Sequence, residues 1–417
     1  MTNFYRVSTA NMYDSTLRNL GARQKTLVDL QENLTSGKRV VRASDDPVAA
    51  AQAERALTRI GRIQTEQRAL EVQRNAIAQA ESTLGDAVGL VQEIRQLVVA
   101  AGGGALKPED RKTYANQIQS LREQLSDVIN RKDTNGIPLL GALGSALQPF
   151  TGPLSGSPDY LFSGLAGQGS SNGTSITTTL DGHSALMFDP QRDGVYQAGV
   201  STIPSDRSLT TSAITPSNPG QITGDSYRID FTAVGPGATA GTTSATYTIT
   251  NTTTGITSAP ITAPDFAPDK GGTIAVAGVP GMSFSIKGTP AVGDAVTLQP
   301  SSSLMSSIDS AIAGIGGAAN NNAATQAVGQ ALASIDAGME RLHNMRGYAG
   351  ELLNRADRIS GDQNNRSIQL EDDRSRAEDL DMVKGISDFQ NANVGYEAAL
   401  KSYAQVQRLS LFNYING

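Results

Sequence analysis

The segment LTSGKRVVRASDDPVAAA, residues 34–51, ends one helical pattern and begins another within a few positions. Gly37 is a typical helix stop, because glycine readily takes the left-handed backbone that follows many helices. Ser44 is expected to cap the next helix, with the two aspartates after it in the first turn, where the positive helix end stabilises carboxylates. Pro47 suits a first helical turn, in which its missing N–H costs nothing. The sequence therefore predicts a break between two long helices.

Apolar residues with a 3-4 spacing flank this break on both sides. One stripe covers residues 10–34, and a second covers 47–101 before three glycines at 102–104. A third helix is expected from Pro108 to about Asn130. The N-terminal part of the chain therefore predicts three helices, of which the second is unusually long.

The C-terminal part repeats this pattern, with stripes over residues 325–359 and 382–414. Gly361 predicts only a kink, because the periodicity resumes quickly after it. We interpret 325–359, like 47–101, as core. The outermost stripes have only each other as cover, which indicates contacts with further copies of the chain; their aromatic side chains suit wet interfaces. The residues expected to carry these contacts are Leu17, Leu20, Leu27, Leu34, Phe389, Tyr396, Leu400, Tyr403 and Leu411.

The middle of the chain has a different composition. Glutamate is absent from residues 124–339, and Thr, Gly and Pro are frequent between 201 and 300. Period-two alternation bounded by Gly and Pro predicts short antiparallel strands there. The expected strands are 226–234, 245–250, 272–279, 282–288 and 294–299.

These patterns predict an α+β, multidomain protein. An elongated helical bundle and coiled coil is formed by the N- and C-terminal segments, and a Thr/Gly-rich antiparallel β domain is inserted between them. We expect a terminal coiled-coil domain of residues 1–41 plus 376–417, a bundle domain of 42–165 plus 303–375, and a β domain of 166–302.

Composition excludes several function classes. The 417-residue chain has a net charge of −6 and a pI of about 5.1, so a nucleic-acid partner is not expected. It contains no cysteine, which excludes disulfides, thiolate catalysis and cysteine-based zinc sites. The apolar runs are too short for a transmembrane helix, and the N-terminus lacks the pattern of a cleavable signal peptide.

No catalytic or metal-binding arrangement is recognised. His183 and His343 lie far apart in sequence, and neither has a nearby histidine or a cysteine partner. The set Asp181, Asp189 and Asp193 lacks the spacing of a calcium-binding EF-hand loop. We therefore predict that the protein is not an enzyme and holds no cofactor or metal.

Residues 34–51 resemble the N-terminal signature of the flagellin family, in which Leu-x-Ser-Gly-Lys-Arg precedes Ser-Asp-Asp-Pro-x-x-Ala. Residues 366–415 are similar to the C-terminal helix of the same family, so the resemblance covers roughly 1–165 and 303–417. The resemblance implies that the signature forms a spoke between an inner layer of terminal helices and an outer bundle. Its matching spoke residues are Ser36, Gly37, Lys38, Arg39, Ser44, Asp45, Asp46 and Pro47.

Two alternatives remain for the basic residues of the spoke, Lys38, Arg39 and Arg42. They face acidic surfaces of neighbouring subunits, or they are solvated or paired within the chain. Exposed ion pairs of this kind contribute only about 0–1 kcal/mol each.

The details favour a member of the family that joins the hook to the filament. SRAEDLDMV (375–383) and LSLFNYING (409–417) depart from the pattern of filament-forming members, while FYRVSTANMYDSTLRNL (4–20) and YLFSG (160–164) fit a junction member. The resemblance implies an extracellular structural protein of the bacterial flagellum, exported by the flagellar type III route without a cleavable signal. Its implied partners are itself in a lateral ring, the first hook–filament junction protein, flagellin, and a cytoplasmic export chaperone at the C-terminal helix.

Two alternative functions stay open at this point. In the first, the chain is a flagellin that forms the filament itself. Such a protein would polymerise into longer assemblies than a junction protein. Less favoured is a secreted adhesin or translocator with a coiled-coil stalk, which liposome binding would reveal. The sequence has no apolar hairpin able to insert into a membrane, and no membrane insertion is expected.

Overall fold

The computed structural model describes residues 9–103, 106–156, 159–167, 172–202, 209–267 and 272–415, with side chains omitted at 9–12, 406 and 408–415. The chain forms two compact units, Met1–Arg68 with Ser360–Gly417, and Ala69–Ile359. We call them the terminal unit and the central unit. The division into three domains that the sequence indicates stays a prediction.

The helices follow the apolar stripes closely. They are α1 (Thr9–Ser36), α2 (Pro47–Ala101), α3 (Pro108–Ile129), α4 (Gly182–Leu186), α5 (Pro190–Asp193), α6 (Leu304–Gly316), α7 (Asn321–Glu378) and α8 (Met382–Ile415). Gly37 has a φ of +72° directly after α1, as expected of a glycine that stops a helix. Gly361 does not interrupt α7, so the predicted continuation of this helix is confirmed.

Helix starts are fixed by side chains that accept hydrogen bonds from the first free N–H groups. At α3, Pro108 occupies the first turn and the carboxylate of Asp110 accepts a bond from the Lys107 N–H at 3.3 Å. At α6, the Ser303 hydroxyl accepts from the Ser306 N–H at 3.0 Å.

The core of the central unit lies where α2, α3, α6 and α7 meet. The predicted seams of α2 and α7 are buried there, with Ile77, Leu84, Val91, Ile335 and Leu342 all at 0% exposure. The interpretation of these two stripes as core is therefore confirmed. Short elements between α3 and α6 close one side of this core.

The strands are β1 (Phe150–Thr151), β2 (Leu161–Phe162), β3 (Tyr196–Ser201), β4 (Thr210–Thr211), β5 (Thr215–Pro216), β6 (Tyr227–Pro236), β7 (Thr243–Asn251), β8 (Ile261–Thr262), β9 (Thr273–Val276), β10 (Met282–Lys287) and β11 (Ala295–Pro300). β1 and β2 form a small hairpin. The rest form a five-stranded sheet in the order β3-β11-β6-β7-β8 and a four-stranded sheet in which β10 pairs with β4, β5 and β9. We call β3–β11 the β domain.

All pairings between these strands are antiparallel, and alternation decides which side chains enter the core. In β6, Tyr227, Ile229 and Phe231 are buried and alternate with more exposed neighbours. In β11, Val296 pairs with Ile229 of β6 on one side and with Val200 of β3 on the other. The β domain therefore has its own apolar core. The predicted fold class, helices from both chain ends with an inserted antiparallel β part, is confirmed.

Among the elements that were not expected from the sequence, β3 and α6 are the longest strand and the longest helix. β3 (YQAGVS) lacks a clear alternation, and it is a strand because it pairs along its length with β11. α6 (LMSSIDSAIAGIG) is rich in serine and glycine, yet it buries Leu304, Ile308 and Ile315 against the bundle.

Candidate functional site: the spoke and the terminal helices

The spoke is the turn between α1 and α2, residues 36–47. Its backbone pairs with the short connection between α7 and α8. The Arg39 N–H donates to the Glu378 carbonyl at 2.7 Å, and the Leu380 N–H donates to the Gly37 carbonyl at 2.9 Å. Lys38 and Asp379 form an isolated antiparallel bridge. The helix break is thus joined to the corresponding break near the C-terminus.

A small apolar cluster supports this pairing. Val40, Ala49, Ala53 and Ala377 are buried against one another. Small side chains let the α2 and α7 backbones approach closely, which explains the alanine run after Pro47. The cluster orients the spoke with very little apolar area.

The basic residues of the spoke pair within the chain. Lys38 forms an ion pair with Glu378. The Arg39 guanidinium donates to the Ala377 carbonyl at 2.8 Å, and the Arg42 guanidinium donates to Glu32 at 2.8 Å. All three basic side chains are 46–63% exposed, so each ion pair contributes about 0–1 kcal/mol. Of the two alternatives left open for these basic residues, the structure shows the one in which they pair with acidic residues of the same chain.

The expectation that Ser44 caps α2 is wrong. Asp46 occupies that position, and its carboxylate accepts hydrogen bonds from Val48 N–H at 3.2 Å and Ala49 N–H at 3.0 Å. The Ala49 N–H, together with Arg39, holds the pKa of Asp46 below its ordinary value. The signal was present in the sequence, because a proline in the first helical position makes the residue before it the cap.

The other spoke residues shape the turn itself. The Asp45 carboxylate accepts bonds from the N–H groups of Val41 and Arg42, at 3.2 and 2.8 Å. Ser44 is exposed and directs its hydroxyl toward Asp45. The Ser36 hydroxyl accepts from the Lys38 N–H at 3.3 Å. Every residue of the predicted spoke motif therefore lies in this turn or at its ends.

α1 and α8 pack against each other in the terminal unit. The rings of Tyr13 and Tyr403 lie 5.7 Å apart, and their hydroxyls are 2.8 Å apart. The residues of α1 and α8 that were expected to make contacts divide into two groups. Leu17 and Leu400 are 40% exposed. The remaining ones are half-buried, namely Leu20, Leu27, Leu34, Phe389, Tyr396 and Tyr403. Leu411 lies in α8, but its side chain is outside the described residues.

Several exposed apolar residues of these helices were missed by the sequence reading. Val28 of α1 is exposed, and Val383 and Val394 of α8 are 82% and 66% exposed. Val383 and Val394 are eleven positions apart, about three helical turns, which places them on the same helix face. The seam found from the heptads includes the side chains that face the partner helix. These valines form a second, outward row.

Small side chains keep part of the α1–α8 contact open. A groove of about 920 Å³ runs between the two helices and is lined by Ala22, Ala392, Gly395 and Ala399, among others. A Cβ atom at Gly395 would lie 2.7 Å from the Arg23 Nη1 atom, so this glycine permits the arginine to cross the groove. The terminal unit thus has exposed aliphatic side chains and an incompletely filled helix contact.

Two of the aspartates considered as site residues have structural roles. Asp181 caps α4 by accepting from the His183 N–H at 3.0 Å. Asp193 forms an ion pair with Arg341 at 2.5 Å. His343 is exposed. No group of three or more His, Cys, Asp or Glu residues suited to a metal ion occurs among the described residues. Within the same residues, no helix is long and apolar enough to cross a membrane.

Comparison with known proteins agrees with the signature at the spoke. The model of the bacterial flagellin N-terminal helical region matches residues 7–143. The chain is 31% identical over 147 residues to flagellar hook-associated protein 3 of Salmonella typhimurium, an alignment that includes 35% of this chain and 46% of that protein. Over these residues the chain is similar to members of the flagellin family. It spans about half the length of the curated relatives that it matches.

A flagellin and two solved flagellar junction proteins are also similar to this chain. Flagellin of Bacillus subtilis is 28% identical over 138 residues, which are 33% of this chain and 44% of that flagellin. The crystal structure of the flagellar junction protein FlgL from Legionella pneumophila has a TM-score of 0.59 at 24% identity, covering 79% of this chain and all of that one. FlgL from Xanthomonas campestris gives 0.57 at 20% identity, covering 76% and 98%. At these identities the two structures show that the fold is shared.

Proposed function

We propose that this chain is a structural junction protein of the bacterial flagellum that links the hook, through the first junction protein, to the flagellin filament. The observation that carries the proposal is the likeness to hook-associated protein 3. It extends over 147 residues at 31% identity in Salmonella typhimurium and 150 residues at 31% in Escherichia coli. The matched flagellins of Listeria monocytogenes and Bacillus subtilis align over shorter stretches at 30% and 28%.

The terminal helices are the proposed assembly surface. Exposed Leu17, Val28, Val383 and Val394 present aliphatic area that a monomer gains nothing by leaving in water. Copies that pack side by side would cover these residues and the half-buried seam beneath them. In this proposal Leu17, Leu20, Leu27, Leu34, Phe389, Tyr396, Leu400, Tyr403 and Leu411 act in self-association or in contacts with neighbouring flagellar proteins.

The spoke has a positioning role in this proposal. Its backbone bonds to Glu378 and Leu380 hold the N- and C-terminal helix breaks together. α1 and α8 would therefore enter an assembly as a pair, and not as two independent helices. The proposed partners are further copies in a ring, the first junction protein and flagellin, with an export chaperone covering α8 before flagellar type III export to the cell exterior. The proposal assigns no catalytic activity.

A gene deletion in the host, followed by electron microscopy and a blot of the medium for flagellin, tests the proposal. The expected result is intact hooks without filaments, with flagellin lost to the medium. The matched flagellins favour one second candidate, a filament subunit, for which hooks without filaments and no other flagellin in the medium would be found. Normal, motile filaments in a strain without a paralogue would contradict both.

A further inference from the structure

The central unit contains two apolar cores that do not merge. One core lies in the bundle and includes Ile94 and Ile335, and the other lies in the β domain and includes Phe231 and Ile286. The chain passes between them at Val195–Tyr196 and again at Pro300–Ser301. The Ser301 N–H donates to the Val195 carbonyl at 2.9 Å, so the two passages are hydrogen-bonded to each other.

Two glutamines of α7 reach across to the β domain. Gln326 and Gln330 are one helical turn apart and so lie on the same face of the helix. The Gln330 Oε1 atom accepts from the Ala198 N–H at 3.3 Å, and the Gln326 Nε2 atom donates to the Ala198 carbonyl at 3.1 Å. Both backbone groups of one β3 residue are thereby satisfied by helix side chains.

The same two amides bind a second strand. The Gln326 Oε1 atom accepts from the Thr211 N–H at 3.3 Å, and the Gln330 Nε2 atom donates to the Thr211 Oγ1 atom at 3.0 Å. β3 is an edge strand of the five-stranded sheet, and β4 is an edge strand of the other sheet. The amides therefore take the place of a neighbouring strand at both edges, whose polar groups need partners.

Beside these amides the contact between helix and sheet is loosely filled. A cavity of about 480 Å³ lies between the β3 side of the sheet and the α6–α7 helices. Its described lining has no charged side chain and is dominated by small residues such as Gly199, Gly314, Ala323 and Ala327. Interdigitated bulky side chains fix orientation in a close-packed contact, and this contact has few of them.

We propose that Gln326 and Gln330 are a clamp that sets the tilt of the β domain on the bundle, and that its release lets the β domain swing about the paired residues Val195 and Ser301. The separate cores allow the β domain to move without unfolding, and the cavity gives it room. The four hydrogen bonds of the glutamine amides are the described polar contacts that join α7 to β3 and β4.

The test is a distance measurement in the full chain. Since the protein has no cysteine, Ser120→Cys on α3 and Thr254→Cys after β7 accept spin labels without background labelling. Pulsed electron–electron double resonance on this pair measures the distance between a label on the bundle and a label on the β domain. The variant Gln326→Ala with Gln330→Ala removes the clamp, and Asn365→Ala with Gln369→Ala, two exposed positions with the same spacing on α7, is the matched control.

We expect the distance distribution of the clamp variant to be at least twofold broader than that of the wild type, with the control variant unchanged. A second label pair inside the β domain, Thr254→Cys with Val292→Cys, should keep its narrow distribution in every variant. An unchanged bundle-to-domain distribution overturns the proposal. Broadening of the pair inside the β domain also overturns it, because the glutamines would then support the domain fold and not its tilt.

Discussion

The central unit and the terminal unit use the same kind of helix stripe but bury it to very different degrees. In the central unit, Ile77, Leu84 and Ile94 are completely buried. In the terminal unit, the apolar clusters are small and centre on Ile60, Ile63 and Leu370 or on the alanines near the spoke. Fully burying one large aliphatic side chain contributes about 1.5–3 kcal/mol. Burial of apolar side chains within the chain therefore stabilises the central unit far more than the terminal unit.

The largest expected effect comes from substitutions in the proposed assembly surface of the terminal unit. Leu20→Asp or Leu400→Asp should abolish incorporation into the flagellum, because each places a carboxylate where neighbouring chains would bury it. The thermal transition of the β domain should stay unchanged in both variants. Complementation of the deletion strain, with motility and electron microscopy as readouts, measures the first effect, and calorimetry measures the second.

The control for these variants is Gln64→Asp, an exposed position of α2 in the same unit. It should assemble normally. Assembly of the Leu20→Asp and Leu400→Asp proteins at wild-type levels would mean that the terminal stripes are not the contact surface.

The sequence could predict the central seams and the helix ends because their signals are local. The apolar spacing of α2 and α7 and the glycines at 37 and 102 act through nearby residues. β3 could not be predicted, since its strand state depends on β11, about a hundred residues away. The outward valines, Val383 and Val394, were missed because they lie outside the 3-4 spacing that defines the predicted stripe of α8.

The second prediction measures how much the central core contributes. Leu84→Ala should lower the free energy of unfolding of the bundle by about 2–5 kcal/mol, because it leaves a cavity at a completely buried position. Leu27→Ala, the same substitution at a half-buried position of α1, should have a much smaller effect in the monomer. Urea unfolding followed by circular dichroism gives both values. Equal losses would remove the distinction between the two units.

The third prediction concerns the buried ion pair between Arg341 and Asp193. Burial would raise the pKa of Asp193, but Arg192, the Asp189 N–H and Arg341 outweigh it and lower the pKa. Because its pKa is lowered in the folded state, this carboxylate stabilises the fold at pH values above its ordinary pKa of about 3.9. The stabilisation is lost as the pH falls through the lowered pKa. Asp193→Asn should therefore destabilise the central unit at neutral pH by about 1–3 kcal/mol.

Unfolding curves between acid and neutral pH test this sign. The stability of Asp193→Asn should vary less with pH than that of the wild type. Asp336→Asn is the matched control, since Asp336 pairs with Arg95 at 2.7 Å but both side chains are largely exposed. An equal response of the two variants would show that burial does not decide the effect.

The fourth prediction separates the two candidates for the α2 cap. Asp46→Ala should cost about 0.5–2 kcal/mol in the terminal unit, the usual loss for a capping side chain. Ser44→Ala should cost almost nothing, because Ser44 contacts no N–H group of α2 in the described hydrogen bonds. Hydrogen exchange at the Val48 and Ala49 amides is the most direct readout. Faster exchange in Ser44→Ala than in Asp46→Ala would return the cap to Ser44.

The smallest expected effect has the opposite sign and concerns Gln363 in the α2–α7 contact of the terminal unit. Gln363 is buried, yet neither its Oε1 nor its Nε2 atom has a hydrogen-bond partner in the described structure. An unpaired buried amide costs about 1–3 kcal/mol, so Gln363→Leu should stabilise this contact, by about 1 kcal/mol after imperfect packing is included. Gln369→Leu, an exposed position on the same helix, should leave stability unchanged. Destabilisation by Gln363→Leu would mean that the amide finds a partner in solution. Stabilisation would mean that the terminal unit keeps a polar residue in its seam at the expense of monomer stability, which accords with a unit that is completed by its neighbours.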